Sequence, residues 1–322
     1  MPETLRFTKM HGAGNDYIYF NCLEKELSDP AGVAVALSPR HHAVGADGIV
    51  MICKSKVADA KMRMFNADGS EGKMCGNAIR CVARYLSERV GGYPDELTVE
   101  TLSGIKRLTI NRNADGSFAS VSVEMGRAIL EGRHIPVEGN GLFVDYPIRV
   151  LEKAWGITAV SMGNPHAVTF LYSTSRLNQL KKSLKLPAND SFFFLPVKDQ
   201  RDLELNLPEY YLRCRNLERI GPIFENHPFF PDRVNTEFVR WISDNELEMR
   251  VWERGSGETF ACGTGACASV VAACITGRCR LDTPVTVHMR GGDLSVTCRS
   301  DLTVLMTGGA EFVFEGTCNY PL

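Results

Sequence analysis

Two sixteen-residue segments of this chain align in the same frame and without a gap. Segments 62–77 and 249–264 share Met, Arg, Glu, Cys and Gly in register, and an aromatic residue holds the same place in both. Each contains a Cys-Gly pair, which begins at Cys75 in the first segment and at Cys262 in the second. A chance match between two glycine-rich loops would not preserve spacing and flanking residues together, so the repeat predicts a fold made of two copies of one unit.

Polar positions outside these segments extend the repeat. Gly48 and Asn235 each lie 27 residues before their cysteine, whereas Asn15 lies 60 and Asn164 lies 98 residues before theirs. The second copy therefore carries 38 extra residues between Asn164 and Asn235. We place this insertion at about 177–219, a stretch without glycine, and expect a surface excursion because long loop insertions cost little free energy.

Composition and charge exclude several classes of protein. A chain of 322 residues is expected to form two domains, and its net charge of −2 lacks the basic footprint of a nucleic-acid-binding protein. No apolar stretch is long enough to span a bilayer, and the first residues show no signal-peptide pattern. Eleven cysteines without such a signal indicate reduced thiols. We therefore expect a cytoplasmic protein that binds neither nucleic acid nor membrane.

Short strands dominate the hydrophobic pattern, and one helix follows each repeated cysteine, at about 77–89 and 264–275. This pattern predicts an α+β fold of two pseudo-symmetric domains. Each domain is expected to be a mixed, mostly antiparallel, barrel-like sheet wrapped around a central helix, with the active site in the cleft between the domains. The expected boundaries are 1–127 plus 310–322 for the first domain and 128–309 for the second. In the tail at 310–316, apolar and polar residues alternate strongly, and this segment should add a strand to the first domain.

The chemistry follows from the two predicted helix starts. A helix N-terminus presents unpaired N–H groups and about half a positive charge, which favours a thiolate and can cradle a carboxylate. Two such thiols suit removal of a proton from one face of a carbon and delivery to the other face. Three alternatives stay open: buried structural cysteines, a thiol redox protein, although Cys-x-x-Cys is absent, and a catalytically silent amino-acid-binding protein. The backbone groups available to a carboxylate belong to Gly76, Asn77, Gly263 and Thr264.

Amides and two charged residues near these helix starts suit a zwitterionic ligand. Arg254 can hold a carboxylate in a forked contact, and Glu253 can hold an ammonium group. His166 is a further candidate, although a single histidine can equally be a structural hydrogen-bonding residue. No cluster has metal-ligand spacing, and no P-loop or dinucleotide fingerprint occurs. The amides, each of which alone is typical of a turn, are Asn15, Asn66, Asn164 and Asn235.

Five motifs, in order along the chain, resemble those of the diaminopimelate epimerase family, and the match covers nearly the whole sequence. This resemblance implies cofactor-independent conversion of LL-2,6-diaminopimelate to the meso form by a cytoplasmic enzyme that is usually a homodimer. The product would serve lysine synthesis and, in many bacteria, the cell wall. A racemase or epimerase acting on another amino acid remains an alternative. The motifs lie at residues 11–16, 65–71, 74–81, 162–166 and 252–265.

The resemblance also implies roles for individual residues. Cys75 would donate a proton and Cys262 would accept one, with the roles exchanged in the reverse direction, while His166 and Glu253 would support catalysis. Some members of the family have a substrate-contacting glutamine where this chain has Gly48, so that contact is not expected here. The implied substrate contacts are Asn15, Asn66, Asn164, Asn235, Glu253, Arg254 and the backbone at Gly76, Asn77, Gly263 and Thr264.

Overall fold

The computed structural model of the chain describes residues 3–151, 153–171 and 217–320. The chain forms two compact units, one of Met1–Met125 with Leu305–Leu322 and one of Gly126–Val304. Strands greatly outnumber helices in the described ranges, which confirms the predicted α+β class. The predicted insertion at 177–219 lies outside the described residues, apart from its last three positions.

In the first part of the chain, runs of two or three strands are separated by short helices. The elements up to residue 127 are β1 (Glu3–Gly12), β2 (Asn15–Cys22), α1 (Pro30–Leu37), β3 (Gly48–Cys53), β4 (Ala60–Asn66), β5 (Glu71–Gly72), α2 (Gly76–Tyr85), a π-helical turn (Leu86–Val90), β6 (Glu96–Thr101), β7 (Gly104–Arg112) and β8 (Phe118–Arg127). The helix predicted at 77–89 is thus present, but its last turn is a π-helix. That turn ends where Gly91, at φ +78°, donates its N–H to the carbonyl of Leu86.

The second part of the chain also has runs of strands separated by helices. Its elements are a 3₁₀ turn (Gly132–His134), β9 (Tyr146–Val150), β10 (Lys153–Ser161), β11 (Pro165–Leu171), α3 (Leu217–Glu225), β12 (Asn235–Ser243), β13 (Glu246–Glu253), β14 (Gly257–Thr259), α4 (Gly263–Ile275), β15 (Val285–Met289), β16 (Gly292–Cys298), β17 (Thr303–Gly308) and β18 (Glu311–Tyr320). Among the described ranges there is no helix of the length and apolar character needed to cross a membrane.

Strand pairing repeats between the two units. In the first unit β1–β2 is antiparallel, β2–β3 parallel, and β3–β4 and β4–β5 antiparallel. In the second unit β10–β11, β11–β12, β12–β13 and β13–β14 follow the same sequence of directions. The register also repeats, because Ile49 faces Phe65 and Thr236 faces Trp252 at positions that the sequence alignment equates. The predicted internal repeat is confirmed strand by strand.

One helix occupies the same place in each repeat. Helix α2 is buried along Gly76–Ala83 and packs against β1, β2 and β7. Helix α4 consists mostly of Ala, Val and Cys, and it packs against β10 to β13, β15 and β16. A helix that is apolar on all sides must be surrounded by protein. The predicted stop of α4 is confirmed at Gly277, whose φ of +72° ends the helix.

The tail returns to the first unit as predicted. Strand β18 pairs antiparallel with β1 from Glu3 to His11, so the first unit is completed by residues at least 300 positions away in sequence. A glycine at position 316 is needed here, because a Cβ atom would lie 2.7 Å from the ring of Phe7. The observed strand begins at Glu311 and extends beyond the predicted segment to Tyr320.

The Arg and Glu that recur in the repeated segment form the same ion pair in both units. Arg63 binds Glu71 with side chains 26% and 30% exposed, whereas Arg250 binds Glu258 with side chains only 8% and 11% exposed. We expect Glu258→Gln to lower the free energy of unfolding by about 3 kcal/mol, because it leaves a buried guanidinium without its carboxylate. The repeat-related Glu71→Gln should cost less than about 1 kcal/mol, since water screens the exposed pair.

Chemical denaturation of both variants measures this difference. Equal losses of unfolding free energy in Glu258→Gln and Glu71→Gln would contradict the dependence on burial.

Candidate active site

Both repeated cysteines are N-cap residues. Cys75 precedes α2 with φ −132° and ψ 121°, and Cys262 precedes α4 with φ −125° and ψ 110°. In this extended conformation the cap residue lies just outside the helix, and the N–H groups of the first turn have no partner within the helix. The predicted position of each cysteine at a helix start is therefore confirmed. We call the residues around these caps the Cys75 cluster (Cys75, Asn15, Asp47, Asn77) and the Cys262 cluster (Cys262, Thr264, Asn164, His166, Glu253).

In the Cys75 cluster, Asn15 links the thiol to a carboxylate. The Cys75 thiol donates to Asn15 Oδ1 at 3.3 Å, and Asn15 Nδ2 donates to Asp47 Oδ2 at 2.7 Å. An ionised carboxylate only accepts hydrogen bonds, so Asp47 forces the amide nitrogen to its own side. The amide oxygen is thereby directed to Cys75, where it favours the protonated thiol.

Asp47 is itself held by a charged network that the sequence did not indicate. Arg40 binds both Asp16 and Asp47, and Lys9 binds Asp16. Burial opposes ionisation of Asp16, but hydrogen bonds from Arg40 and Lys9 outweigh it and lower the pKa of Asp16. The pKa of Asp47 is raised, first by burial and then by the charge of Asp16. The network keeps Asp47 in place beside Asn15.

The side chain of Asn77 forms a hydrogen bond within the first turn of α2. It is buried, and its Oδ1 accepts from Arg80 Nη1 at 3.0 Å. The same guanidinium donates to the carbonyl of Gly76 at 3.1 Å and to that of Gly309 at 3.1 Å. Arg80 therefore ties the first turn of α2 to the segment before β18. A ligand of this turn would meet the backbone N–H of Asn77 rather than its amide, as the resemblance implied.

Asn66 and Gly48 face each other across β3 and β4. Asn66 Nδ2 donates to Ser70 Oγ at 3.0 Å, which is the turn role that its sequence context favours. Gly48 lies against this strand, and a Cβ atom on it would overlap the carbonyl oxygen of Phe65 and lie 3.0 Å from Cα of Asn66. The backbone here has no room for a side chain, so the position requires glycine.

In the Cys262 cluster, the sulfur faces hydrogen-bond donors. Gly265 N–H donates to Cys262 Sγ at 3.4 Å, and Thr264 Oγ1 lies 3.4 Å from the same sulfur. The carboxylate of Glu253 lies within hydrogen-bonding reach of the thiol and also accepts from the Thr259 hydroxyl. Burial raises the pKa of Glu253 above its ordinary value.

The pKa of Cys262 differs from the sequence-based expectation. The field of a helix N-terminus was expected to lower it, but burial raises the pKa of this thiol well above its ordinary value. The charges of Glu253 and Glu237 raise it further, and the hydrogen bonds from Thr264 and Gly265 lower it by less. The expectation was wrong because the dipole is a small effect beside burial and two nearby carboxylates.

Alkylation of Cys262 tests this explanation in the protein without ligand. Iodoacetamide should react slowly at neutral pH, and the rate should still rise above pH 9.0, since only the thiolate reacts and the pKa is raised above that ordinary value. In Glu253→Gln a nearby negative charge is lost, so the curve of rate against pH should move to lower pH. Mass spectrometry of the labelled peptide measures the rate.

Glu225→Gln is the matched control, because Glu225 is a buried carboxylate of the same unit that is not among the charges acting on Cys262. An unchanged curve in Glu253→Gln, or an equal shift in Glu225→Gln, would contradict the assignment.

His166 is fully buried and binds groups on both sides of its ring. Its Nδ1 lies 2.7 Å from Glu237 Oε1, and its Nε2 lies 3.1 Å from Asn164 Oδ1. Asn164 Nδ2 in turn donates to Thr264 Oγ1 at 3.4 Å. The structure therefore brings three predicted site residues, His166, Asn164 and Thr264, together with Cys262. Sequence analysis missed Glu237, although its position two residues after Asn235 puts both on one face of β12.

Asn235 and Arg254 lie together at the end of β13. Asn235 is buried, and its Oδ1 accepts the backbone N–H of Arg254 at 2.8 Å. The exposed side chain of Arg254 donates to the carbonyl of Asp232 at 2.9 Å. Glu225 fixes the same loop, because its carboxylate accepts from Gly255 N–H at 2.9 Å. Asn235 and Glu225 thus hold the loop by its backbone N–H groups, while the guanidinium of Arg254 is accessible to a ligand.

The two clusters differ at repeat-related positions. Asn66, Tyr17 and Val50 in the first unit correspond to Glu253, His166 and Glu237 in the second. At these three positions only the second unit has acidic side chains and a histidine. Within residues 3–151, 153–171 and 217–320, no three His, Cys, Asp or Glu side chains are grouped as metal ligands.

Comparison with known proteins adds a family. A family model described as diaminopimelate epimerase matches residues 7–131 and 193–313. Curated relatives with that name include one from Agathobacter rectalis, 44% identical over 321 residues with 97% of this chain and 98% of the relative covered. Another, from Desulfovibrio desulfuricans, is 42% identical over 324 residues, with 98% and 99% covered.

Solved structures with low sequence identity share the fold. A phenazine biosynthesis protein of the PhzF family from Bacillus anthracis has a TM-score of 0.61 at 15% identity and covers 98% of this chain and 99% of its own. A hydroxyproline epimerase from Agrobacterium vitis has a TM-score of 0.61 at 16% identity, with 98% and 93% covered. At these identities the likeness concerns the fold alone.

Proposed function

This chain belongs to the diaminopimelate epimerase family, and we propose that it interconverts LL-2,6-diaminopimelate and meso-diaminopimelate by inverting one α-carbon. Relatives of that name, 40–44% identical over nearly the whole chain, support the substrate and the reaction. The observation that carries the chemistry is the pair of repeat-related N-cap cysteines, Cys75 and Cys262. We propose that these thiols supply the acid and the base, with no cofactor taking part.

The surroundings of the two cysteines support different roles in one direction of reaction. Cys75 donates its thiol proton to Asn15 and so is held protonated, ready to deliver a proton to carbon. Cys262 has Glu253 within reach, and burial raises the pKa of Glu253, which makes its carboxylate a better proton acceptor than an ordinary one. We propose that Glu253 takes the Cys262 proton and that the resulting thiolate removes the α-proton. In the reverse direction the two cysteines exchange roles.

Loss of an α-proton leaves negative charge that spreads into the neighbouring carboxylate. We propose that the N–H groups at the starts of α2 and α4, from Gly76, Asn77, Gly263 and Thr264, bind that carboxylate. Fixed N–H donors aimed at developing charge stabilise a transition state strongly when water is excluded. The proposal assigns the stabilisation of the carbanion to these backbone groups.

Recognition of the substrate's distant end falls to side chains in this proposal. Arg254, which is exposed and fixed by its loop, would bind the second carboxylate. Glu253 would also attract an ammonium group. The amides Asn15, Asn66, Asn164 and Asn235 would add neutral hydrogen bonds that discriminate diaminopimelate from shorter amino acids.

Further proposals concern organisation and biological setting. We propose that residues 1–127 with 310–322 and residues 128–309 are the two catalytic domains. We also propose that the enzyme is a cytoplasmic homodimer and that its product enters lysine synthesis. Size-exclusion chromatography with light scattering tests the dimer.

Chiral chromatography of the reaction mixture tests the function. Purified, reduced protein incubated with LL-diaminopimelate should produce the meso isomer until the two forms reach equilibrium, without any added cofactor. The double variant Cys75→Ser/Cys262→Ser should produce none. Folded wild-type protein that leaves LL-diaminopimelate unchanged would overturn the substrate assignment, and inversion of another amino acid would then favour the alternative racemase.

A further inference from the structure

A buried carboxylate beside the Cys262 cluster has no role in the proposed reaction. Glu237 lies in β12 with its side chain fully buried. One carboxylate oxygen lies 2.7 Å from His166 Nδ1, and the other has no hydrogen-bond partner among the described residues. Burying an ionised carboxylate costs much free energy unless a charged partner offsets it. Because this carboxylate contacts His166 directly, its charge influences the protonation of the His166 ring.

A continuous series of hydrogen bonds leads from Glu237 to the Cys262 sulfur. Its links are Glu237 Oε1 to His166 Nδ1 at 2.7 Å, His166 Nε2 to Asn164 Oδ1 at 3.1 Å, Asn164 Nδ2 to Thr264 Oγ1 at 3.4 Å, and Thr264 Oγ1 to Cys262 Sγ at 3.4 Å. All four links lie within the second unit.

The chemistry of the groups fixes the direction of each hydrogen bond. An ionised Glu237 accepts only, so His166 Nδ1 must carry a proton. When Nε2 is protonated as well, it donates to Asn164 Oδ1, and the amide nitrogen of Asn164 then faces Thr264. A hydroxyl has one proton, so a Thr264 that accepts from Asn164 donates its own proton to Cys262. His166 then donates through Nδ1 to Glu237, and the three remaining links all donate toward the Cys262 sulfur, each with a donor matched to an acceptor.

We propose that Glu237 is a positioning residue that keeps both ring nitrogens of His166 protonated and thereby orients Asn164 and Thr264 to donate toward Cys262. This inference rests on the proposed function, in which Cys262 is a base in one direction. Its thiolate receives the hydroxyl of Thr264 and the N–H of Gly265, which together stabilise the charged sulfur.

The repeat shows that this arrangement is specific to one cysteine. Val50 occupies the position in β3 that corresponds to Glu237, and Tyr17 occupies the one that corresponds to His166. In the first unit the amide of Asn15 instead turns its oxygen to Cys75 and accepts the thiol proton. The two related asparagines therefore present opposite ends to their clusters, an oxygen beside Cys75 and a nitrogen toward Cys262.

Two carboxylates act on the charge of the His166 ring. Glu237 faces it from β12, and Glu253 at the end of β13 interacts with it electrostatically. Of these only Glu237 makes a direct hydrogen bond to the ring. Replacing it with glutamine keeps an acceptor of the same shape and removes the charge. The doubly protonated ring then has no negatively charged partner in direct contact, which favours loss of the Nε2 proton, after which Asn164 can turn its amide and withdraw the donor from Thr264.

Nitrogen NMR of protein labelled in histidine measures the protonation of the ring directly. The His166 signals are identified by their loss in His166→Gln. In the wild type at pH 7 we expect both ring nitrogens to be protonated, and in Glu237→Gln only one. We also expect kcat for epimerisation to fall by about ten- to a hundredfold in Glu237→Gln, with KM changed by less than about threefold, as for other residues that set a histidine tautomer.

Thr236→Val is the matched control. Thr236 precedes Glu237 in the same strand, and its buried hydroxyl has no hydrogen-bond partner among the described residues. This variant should leave both the NMR signals and kcat unchanged. If Glu237→Gln does not fold, the wild-type spectrum alone decides the question.

A wild-type ring with one protonated nitrogen at pH 7 would overturn the proposal, and so would a folded Glu237→Gln protein with unchanged ring signals. Because the NMR measurement needs no substrate, it separates a failure of this proposal from a failure of the proposed function, which the chiral assay on the wild type reveals.

Discussion

Exchange of either Cys75 or Cys262 for serine is expected to reduce kcat for epimerisation by about 10³-fold, the contribution typical of a positioned general acid or base. A serine hydroxyl keeps the size of the side chain and the cap position, but it is far less acidic than a thiol. It therefore neither delivers nor accepts the proton at a useful rate. A stereochemical assay at saturating substrate measures the loss.

The matched control for this experiment is Cys274→Ser. Cys274 lies in α4, the helix that Cys262 caps, and its sulfur donates to the carbonyl of Arg280, a bond that a serine hydroxyl can replace. We expect this variant to keep wild-type kcat. Folded Cys75→Ser or Cys262→Ser protein that retained most of its activity would exclude the affected thiol from the reaction.

The second large effect concerns Gly48. We expect Gly48→Ala to lower the free energy of unfolding by about 4 kcal/mol, because a Cβ atom would overlap the Phe65 carbonyl and force both strands apart. The backbone there also has φ +155°, which residues with side chains rarely adopt. Glutamine should be tolerated no better than alanine at this position.

Gly92→Ala is the control for the Gly48 variant. Gly92 has φ +76°, but a Cβ atom on it would meet no atom within 4 Å, so only the backbone strain of about 1 kcal/mol is expected. Urea unfolding curves of the two variants separate the overlap from the strain. Equal losses would show that the close approach of Phe65 contributes nothing.

Much of the fold followed from the sequence because the repeat is encoded locally. The spacing of Cys75 and Cys262 from their flanking motifs fixed two equivalent strand-and-helix arrangements, and alternation in the tail indicated β18. The helix-cap positions of both cysteines followed from glycine and small residues at the helix starts. These features depend on neighbouring residues, which a sequence displays directly.

The details of the two clusters did not follow, because they depend on residues brought together from distant strands. Glu237 contacts a histidine 71 positions away, and Asp47 contacts an asparagine 32 positions away. Burial is the first cause of the raised pKa of Cys262, and the two carboxylates that raise it further lie on β12 and β13 rather than on the helix that it caps. The sequence indicated only that Gly48 cannot make a side-chain contact with substrate. The structure adds the reason for glycine there, because a Cβ atom would overlap the carbonyl of Phe65.

Deuterium incorporation during a single conversion in D₂O tests the central claim, that Cys75 and Cys262 act as separate acid and base. Proton NMR and mass spectrometry are applied early in the reaction, when little product has formed. Two thiols predict deuterium at the inverted carbon of meso-diaminopimelate, delivered by one exchanged sulfur, while the remaining LL-diaminopimelate keeps its α-proton. Product that retains the original proton, or equal deuterium in product and remaining substrate, would mean that one base serves both faces and would contradict the account.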